Sequence, residues 1–407
     1  MSYIERSRPD AVRAIPKRTD YIEEAILGGE KPYFYLDKGV PSQPSAALWK
    51  RYYEIKNSPE FDKLTEYPHE QVEQGKQGFR NIFGLDKDHK YSPHIFFSNG
   101  GSDEIIERKM RLYHLPPKST IIIGSGSQFS DIAGFAQTYD SGQNGGISYR
   151  NTEPDLQLSL NDMLEEAKAK RKKEMRSNRR SYYICNFSTP TGDVADPEVV
   201  KDFAEFMAKQ KILVTVDEAY SSTRKLKDSA AHLTQVLPNM IVLRSDFSKG
   251  MGFPGMRIGE AAMSKEIGEE YEKLRRHFDL PTQTQLYING LMDKALIEPH
   301  YESERQRVIK LKRALTNAFA DEDIDILPTA PDSALLTVDG GAGTFHKNLT
   351  TSFGVATSPG AGYRNTDRRF IANRFARLVL NDQIQISDTP EIAHRIKKAM
   401  LMSHDKL

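Results

Sequence analysis

The segment Ser245-Asp246-Phe247-Ser248-Lys249 follows an apolar run, Met240–Arg244, that reads as a strand, and Gly250, Gly252 and Gly255 come next. Glycines at this density let backbone approach a ligand closely. An amine held there can condense with an aldehyde. Eight positions after the lysine, Arg257 stands in Gly255-Met256-Arg257-Ile258-Gly259. Its planar, permanent charge suits a phosphate. A lysine after a strand is ordinarily a surface cation, and the glycines set this one apart.

Asp217-Glu218-Ala219-Tyr220 follows a second apolar run, Ile212–Val216. An aspartate at the end of a buried strand is costly unless it has a partner. A protonated pyridine nitrogen is one such partner, and the pair would make the ring an electron sink. Tyr220 could then donate to a phenolic oxygen of that ring. The plainer alternative is an Asp that caps the next helix with a core Tyr behind it. Two turns complete the set. Asn186-Phe187-Ser188-Thr189-Pro190-Thr191-Gly192 forces a tight turn after the strand Tyr182–Cys185. Ser98-Asn99-Gly100-Gly101-Ser102-Asp103-Glu104 is a Gly-rich turn expected to open a helix at Ile105, and its N–H groups and dipole suit a phosphate. An ordinary capped helix start explains that turn equally.

The elements that must carry these residues alternate. Short β-rich runs at His94–Ser98, Thr120–Gly124, Tyr182–Asn186, Ile212–Asp217 and Ile241–Arg244 are separated by helical stretches such as Leu160–Lys173 and Pro197–Lys209. This order predicts an α/β fold, a mainly parallel sheet covered by helices on both faces. Ligands on such sheets bind at the carboxyl ends of the strands, where all four motifs fall. From about Leu286 the pattern changes to long amphipathic helices, Tyr287–Ile297 and His300–Ala320, and then to strand candidates Ala334–Val338 and Phe375–Leu380. The expected division is an N-terminal arm over 1–40, a large ligand-binding domain over 41–290 and a smaller α+β domain over 291–407.

Composition excludes several classes. The 407 residues carry 57 basic and 56 acidic side chains, a net charge of +1 that argues for neither nucleic acid nor an anionic membrane. The basic stretch Lys168–Arg180 is broken up by Glu165, Glu166 and Glu174 and reads as a solvated helix face. The longest apolar runs, such as Ile121-Ile122-Ile123, fall far short of the ~20 residues of a membrane helix. Met1 to Asp20 lacks an apolar secretory core, and the single Cys185 cannot form an internal disulfide, so a cytoplasmic protein is expected. None of the ten histidines has metal-ligand spacing, and no metal is expected.

With its four motifs in this order, the chain resembles the fold type I pyridoxal-phosphate enzymes, in particular class I/II aminotransferases of the histidinol-phosphate aminotransferase type, from roughly Leu36 to the C-terminus. The resemblance implies pyridoxal 5'-phosphate as cofactor, with Lys249 as the Schiff-base lysine and later the proton carrier. It implies that Asp217 pairs with the pyridine nitrogen and Tyr220 with the ring oxygen, while Arg257, Ser248 and the backbone of Gly101 and Ser102 hold the phosphate. It further implies that Tyr67, in Tyr67-Pro68, reaches the phosphate in the partner subunit of a homodimer with shared active sites. Arg377 resembles the C-terminal arginine that grips a substrate carboxylate bidentately, and Gly39 resembles the backbone lid over it. Phe129, with Gln128 as the alternative, falls where an aromatic stacks on the cofactor ring.

Three positions depart from that pattern. Thr189 replaces the Asn expected before Pro-Thr-Gly, and Asp246 replaces a Ser or Thr three positions before the lysine. An acid there repels a phosphate unless Arg244, Arg257 or another cation pairs with it. Asp332-Ser333-Ala334-Leu335-Leu336 is followed by Asp339-Gly340-Gly341 with no arginine, so a phosphorylated side chain is not the expected substrate. The expected activity is transfer of an amino group between an L-amino acid and a 2-oxo acid. The alternative keeps fold and cofactor but runs decarboxylation, elimination or replacement, cyclisation or oxidation. A retired fold acting as a binding module is disfavoured by the retained Lys249, Asp217, Tyr220, Arg257 and Arg377. A nucleotide-binding dehydrogenase fares no better, because Gly250-Met251-Gly252-Phe253-Pro254-Gly255 follows a reactive lysine late in the chain instead of opening the first βα unit.

Overall fold

The computed structural model describes residues 34–35, 43–63, 67–114, 119–123, 147–149, 160–169, 179–185, 196–220, 225–322, 324–327, 333–337, 342–353, 355–356, 358–359, 375–380 and 384–404. Most of the expected N-terminal arm therefore lies outside the described residues.

The larger sheet has seven strands: β1 (His94–Ser98), β2 (Ser119–Ile123), β3 (Ile147–Tyr149), β4 (Arg179–Cys185), β5 (Leu213–Glu218), β6 (Met240–Arg244) and β7 (Gly259–Met263). Their spatial order is β1-β7-β6-β5-β4-β2-β3. Only β7 runs against its neighbours, β1 and β6, and the other pairings are parallel. β5 and β6 are buried at every position, as strands covered on both faces must be. On one face Tyr183, Leu213 and Leu243 pack with Ile105 and Met110 of the helix Ser102–His114. On the other, Tyr182, Val214 and Val216 pack with Val200 and Phe203 of the helix Pro197–Lys209. That second helix starts where its chemistry dictates, with Pro197 in the first turn and the Asp196 side chain accepting from the Glu198 N–H. The α/β sandwich expected from the alternating pattern is thus the observed fold.

A second apolar core joins Val308, Leu311, Leu315 and Phe319 to Phe345, Leu349 and Ile396. It packs on an antiparallel sheet in which β8 (Ser333–Thr337) pairs with β9 (Phe375–Val379). Phe34–Tyr35 pairs in parallel with Val355–Ala356, tying the chain's beginning to this region.

Two boundaries differ from expectation. The helix after the Gly-rich turn begins at Ser102, three residues before Ile105, because Ser102, Asp103 and Glu104 all suit a first turn. The break between the late helices falls at Met292–Asp293 and not before Pro299. The Asp293 side chain accepts from Ala295 N–H and starts a 28-residue helix, Lys294–Asp321. Pro299, the sixth residue of this helix, removes one backbone hydrogen bond, yet the helix runs on through it. That helix spans both cores, with Ile297 and Tyr301 in the first and Val308 onward in the second.

Candidate active site

The carboxyl ends of β5 and β6 deliver the two central groups. Asp217 is the fifth residue of β5, and only 8% of it is exposed. Its Oδ2 accepts from the Tyr183 hydroxyl on the neighbouring β4, and its Oδ1 accepts from Ala219 N–H at 2.9 Å. Burial pushes its carboxyl above the usual range, against those two donated bonds. Among the described residues no cation pairs with it. A buried acid left short of charge compensation is a receptor for a positive group. Tyr220, half-buried, closes the turn that Asp217 begins.

Lys249 sits in a single turn, Asp246–Gly250, immediately beyond β6. Its Nζ lies 5.1 Å from the centroid of the Tyr220 ring. This contact brings the β5 and β6 motifs to one place. The turn is clamped from the long helix at both ends: the Tyr301 hydroxyl donates to Asp246 Oδ1 at 2.7 Å, and the His300 ring Nε2 lies 3.0 Å from Gly250 O. Ser248 is buried beside the lysine.

Asp246 is the departure that raised the question of repulsion, and the fold answers it. Arg244 forks onto both its oxygens, at 2.8 and 2.7 Å, and reaches Glu218 Oε2 at 2.8 Å. All three groups are under 5% exposed. Glu260 accepts from the Asp246 backbone N–H, and burial followed by the nearby Asp246 raises its carboxyl well above the usual range. The network thus ties the end of β5 to the Lys249 turn. Replacing Arg244 by Leu strands two buried carboxylates. We expect a loss of about 3–5 kcal/mol in urea unfolding, the usual cost of breaking a buried pair. A loss under about 1 kcal/mol would mean that Arg244 does not hold this network together.

The third element is a cup at the start of the helix Ser102–His114. Gly101 has φ +76°, and its N–H donates to the Arg257 carbonyl at 2.6 Å. Arg257 is itself left-handed, at φ +54°. A Cβ on Gly259 would stand 2.3 Å from the Gly101 carbonyl carbon, so glycine is required there. The Arg257 Nη2 bonds Gly100 O at 3.2 Å and Asp103 Oδ2 at 3.0 Å, over the first helical turn. Asn99 and Gly100 N–H both donate to Glu104 Oε2. The Ser102 N–H, as a first-turn amide, has no intrahelical acceptor. A guanidinium beside such an end makes an anion receptor.

Gly39, Phe129 and Thr189 lie outside the described residues. Arg377 is placed by its backbone alone, paired with Leu335 in β8 and with Ser358. Tyr67 is 75% exposed and stacks on Phe278, with ring centroids 4.7 Å apart. The sequence reading missed Tyr183, His300 and Tyr301 as partners of the motif residues. Only Tyr183 left a signal, an aromatic one position from the middle of a strand next to the Asp217 strand.

A sequence model of the family described as aminotransferase class I and II matches residues 56–372. The chain therefore belongs to the class I and II aminotransferase family. Histidinol-phosphate aminotransferase of Methanococcus aeolicus is 26% identical over 249 residues, 61% of this chain and 62% of that protein. The chain thus spans under two thirds of that relative. The namesake enzyme of Clostridium botulinum strain Kyoto is 24% identical over 68% of this chain and 70% of its own length. Among solved structures, an archaeal alanine:glyoxylate aminotransferase superposes with a TM-score of 0.75 at 17% identity, covering 99% of this chain and all of that one. Histidinol-phosphate aminotransferase from Sinorhizobium meliloti, in complex with pyridoxal-5'-phosphate, gives 0.74 at 15% identity over 99% and 98%. These likenesses establish the fold.

Proposed function

We propose that the protein is a pyridoxal-phosphate-dependent aminotransferase moving an amino group from an L-amino acid to a 2-oxo acid. The observation that carries this is the meeting of Lys249 and Tyr220 beside Asp217, a buried acid with no cationic partner among the described residues. The residues suit the cofactor: among the described residues Asp217 has no cationic partner, a role a protonated ring nitrogen would fill, and Arg257 with the first-turn amides of the helix Ser102–His114 offers donors to a phosphate, in competition with Asp103. When bound, pyridoxal phosphate supplies an aldehyde that condenses with amines and a ring that draws electrons from the adjacent bond.

The chain's own groups divide the remaining work. The Lys249 amine would hold the cofactor and, when not so engaged, would serve as the base that takes the substrate's α-proton and the acid that delivers it to the cofactor carbon. Asp217 keeps the ring nitrogen charged, with Tyr183 holding its orientation. Tyr220 donates to the ring oxygen. Arg257, Ser248 and the Gly101–Ser102 backbone hold the phosphate. The family resemblance would assign Thr189 and Phe129 to the ring, and Gly39 and Arg377 to the substrate carboxylate. A phosphorylated side chain is not proposed as substrate, since no arginine follows Asp339-Gly340-Gly341.

We further propose a homodimer in which Tyr67 serves the partner's site, which accounts for an exposed aromatic pair at Tyr67 and Phe278. A large domain followed by a smaller one is supported by the two separate cores, although Ile297 and Tyr301, beyond the proposed boundary at 290, still belong to the first. Among the described residues no helix is long and apolar enough to cross a membrane, and a cytoplasmic setting is proposed. The test is a half-reaction. An amino donor added alone should convert the bound cofactor to its amine form and release one keto acid per site, and a 2-oxo acid should reverse this. Release of carbon dioxide, ammonia or peroxide with no acceptor present would refute transamination.

A further inference from the structure

Lys109 is fully buried in the helix Ser102–His114, and its Nζ has no hydrogen-bond partner among the described residues. A lone amine in an apolar layer is costly, and such positions are rarely occupied by lysine. This one lies 5.0 Å from the centroid of the Tyr183 ring. Tyr183 is also fully buried, and its hydroxyl donates to Asp217. Helix, ring and acid thus form a line from the layer behind the sheet to the group that faces the cofactor. The Ser181 and Thr215 hydroxyls, on the same face of β4 and β5, are likewise buried without partners.

A cation over an aromatic face is attracted to it and draws electron density from the ring. Drawn from a phenol, that density makes the hydroxyl a stronger donor, which favours the ionised form of its acceptor. We propose that Lys109 is a positioning residue for the cofactor's ring nitrogen, keeping Asp217 a carboxylate through the face and hydroxyl of Tyr183. The proposal rests on the reading of the site given above.

Of the other ionisable groups near Asp217 and Lys109, Glu218 and Asp103 push the Asp217 carboxyl up and are paired with Arg244 and Arg257. Tyr271, from the helix Lys265–Glu272, donates to Ile105 O, and Arg108 binds Glu104 and Asp279. Arg275 lies over the Phe96 ring and pairs with Glu272. Burial lowers the Lys109 amine to about 7, so its charge, and its influence on Asp217, is switched off as pH rises through that value.

The experiment is the dissociation constant of pyridoxal phosphate for wild type, Lys109→Met and Lys109→Arg, at pH values either side of about 7. Wild type should bind about tenfold tighter than Lys109→Met below that pH and equally above it, an effect of one pKa unit on the acid. Lys109→Arg, permanently charged, should keep the advantage on both sides. In a Tyr183→Phe background, Lys109→Met should change nothing further. A Lys109→Met effect of equal size at every pH, or of equal size with and without Tyr183, would overturn the proposal. Tyr183→Phe alone should bind no tighter below about pH 7 than above it relative to Lys109→Arg in the same background, which keeps the test decisive if Lys109→Met folds poorly. Wild-type protein that binds no cofactor would overturn the functional reading as well. Normal binding with unaltered variants would sink this inference alone.

Discussion

Lys249→Ala should leave a folded chain that no longer attaches the cofactor covalently and transfers amino groups at least ~10⁴-fold more slowly. In the proposed function the amine has two roles, as anchor and as proton carrier. Removing a positioned base alone costs about 10²–10⁴-fold, and loss of the nucleophile adds to that. The fold should survive, because the turn is held by groups other than the amine. Asp246 is gripped by Arg244 and Tyr301, Gly250 is capped by His300, and Phe247 is buried in the core. Borohydride reduction followed by peptide mass mapping should find one cofactor mass on the peptide carrying Lys249 in wild type and none in the variant. A variant that keeps wild-type turnover would remove Lys249 from the chemistry altogether.

Asp217→Asn should separate stability from activity. Activity should fall roughly 10²–10³-fold, the usual effect of losing one preorganised electrostatic partner. The cofactor-free protein should meanwhile become more stable at neutral pH. Burial raises the Asp217 carboxyl above its unfolded value. Its contribution to stability is therefore present below the unfolded value and lost as pH rises through the folded one. At neutral pH the acid is a burden that Asn does not impose; the amide oxygen can keep the bond from Ala219 N–H, and the amide N–H can donate to the Tyr183 hydroxyl in place of the bond that hydroxyl gave. Urea unfolding at acid and neutral pH should show the variant's advantage only at the higher pH. An advantage of the same size at both would mean that ionisation of Asp217 is not its source. The gain in one property and the loss in the other is the trade-off expected where a strained or unpaired group serves function.

How much of this was legible in the chain differs from motif to motif. The Asp217 and Lys249 blocks could be read because each is local: an apolar run fixes a buried strand, and the next few residues are its carboxyl end. The Gly101 turn could be read for the same reason, although its helix starts at Ser102 because polar first-turn residues cap as well as apolar ones continue. Pro299 misled the reading of the late helices. Proline disfavours a helix interior, yet the helix that Asp293 caps continues through Pro299, with Ile297 and Tyr301 on either side of it buried in the large core.

Asp246 shows the limit from the other side. By type it is an anion near a phosphate cup, and nothing in its neighbours along the chain reveals that Tyr301, 55 positions later, donates to it. Tyr183 and Asp217 are 34 residues apart, and His300 and Gly250 are 50 apart. Lys109 reads as one more cation on a charged helix until the sheet is laid against it.

By itself, then, the sequence determined the element types, the layered α/β class and the residues at the strand ends, because apolar periodicity and turn chemistry act over a few positions. Only the tertiary structure decided which acid lacks a cation, which arginine compensates which carboxylates and which lysine lies behind the ring. Those outcomes depend on burial and on through-space distances of a few ångströms between residues far apart in the chain, and it is desolvation at such distances that turns a side chain's type into its charge.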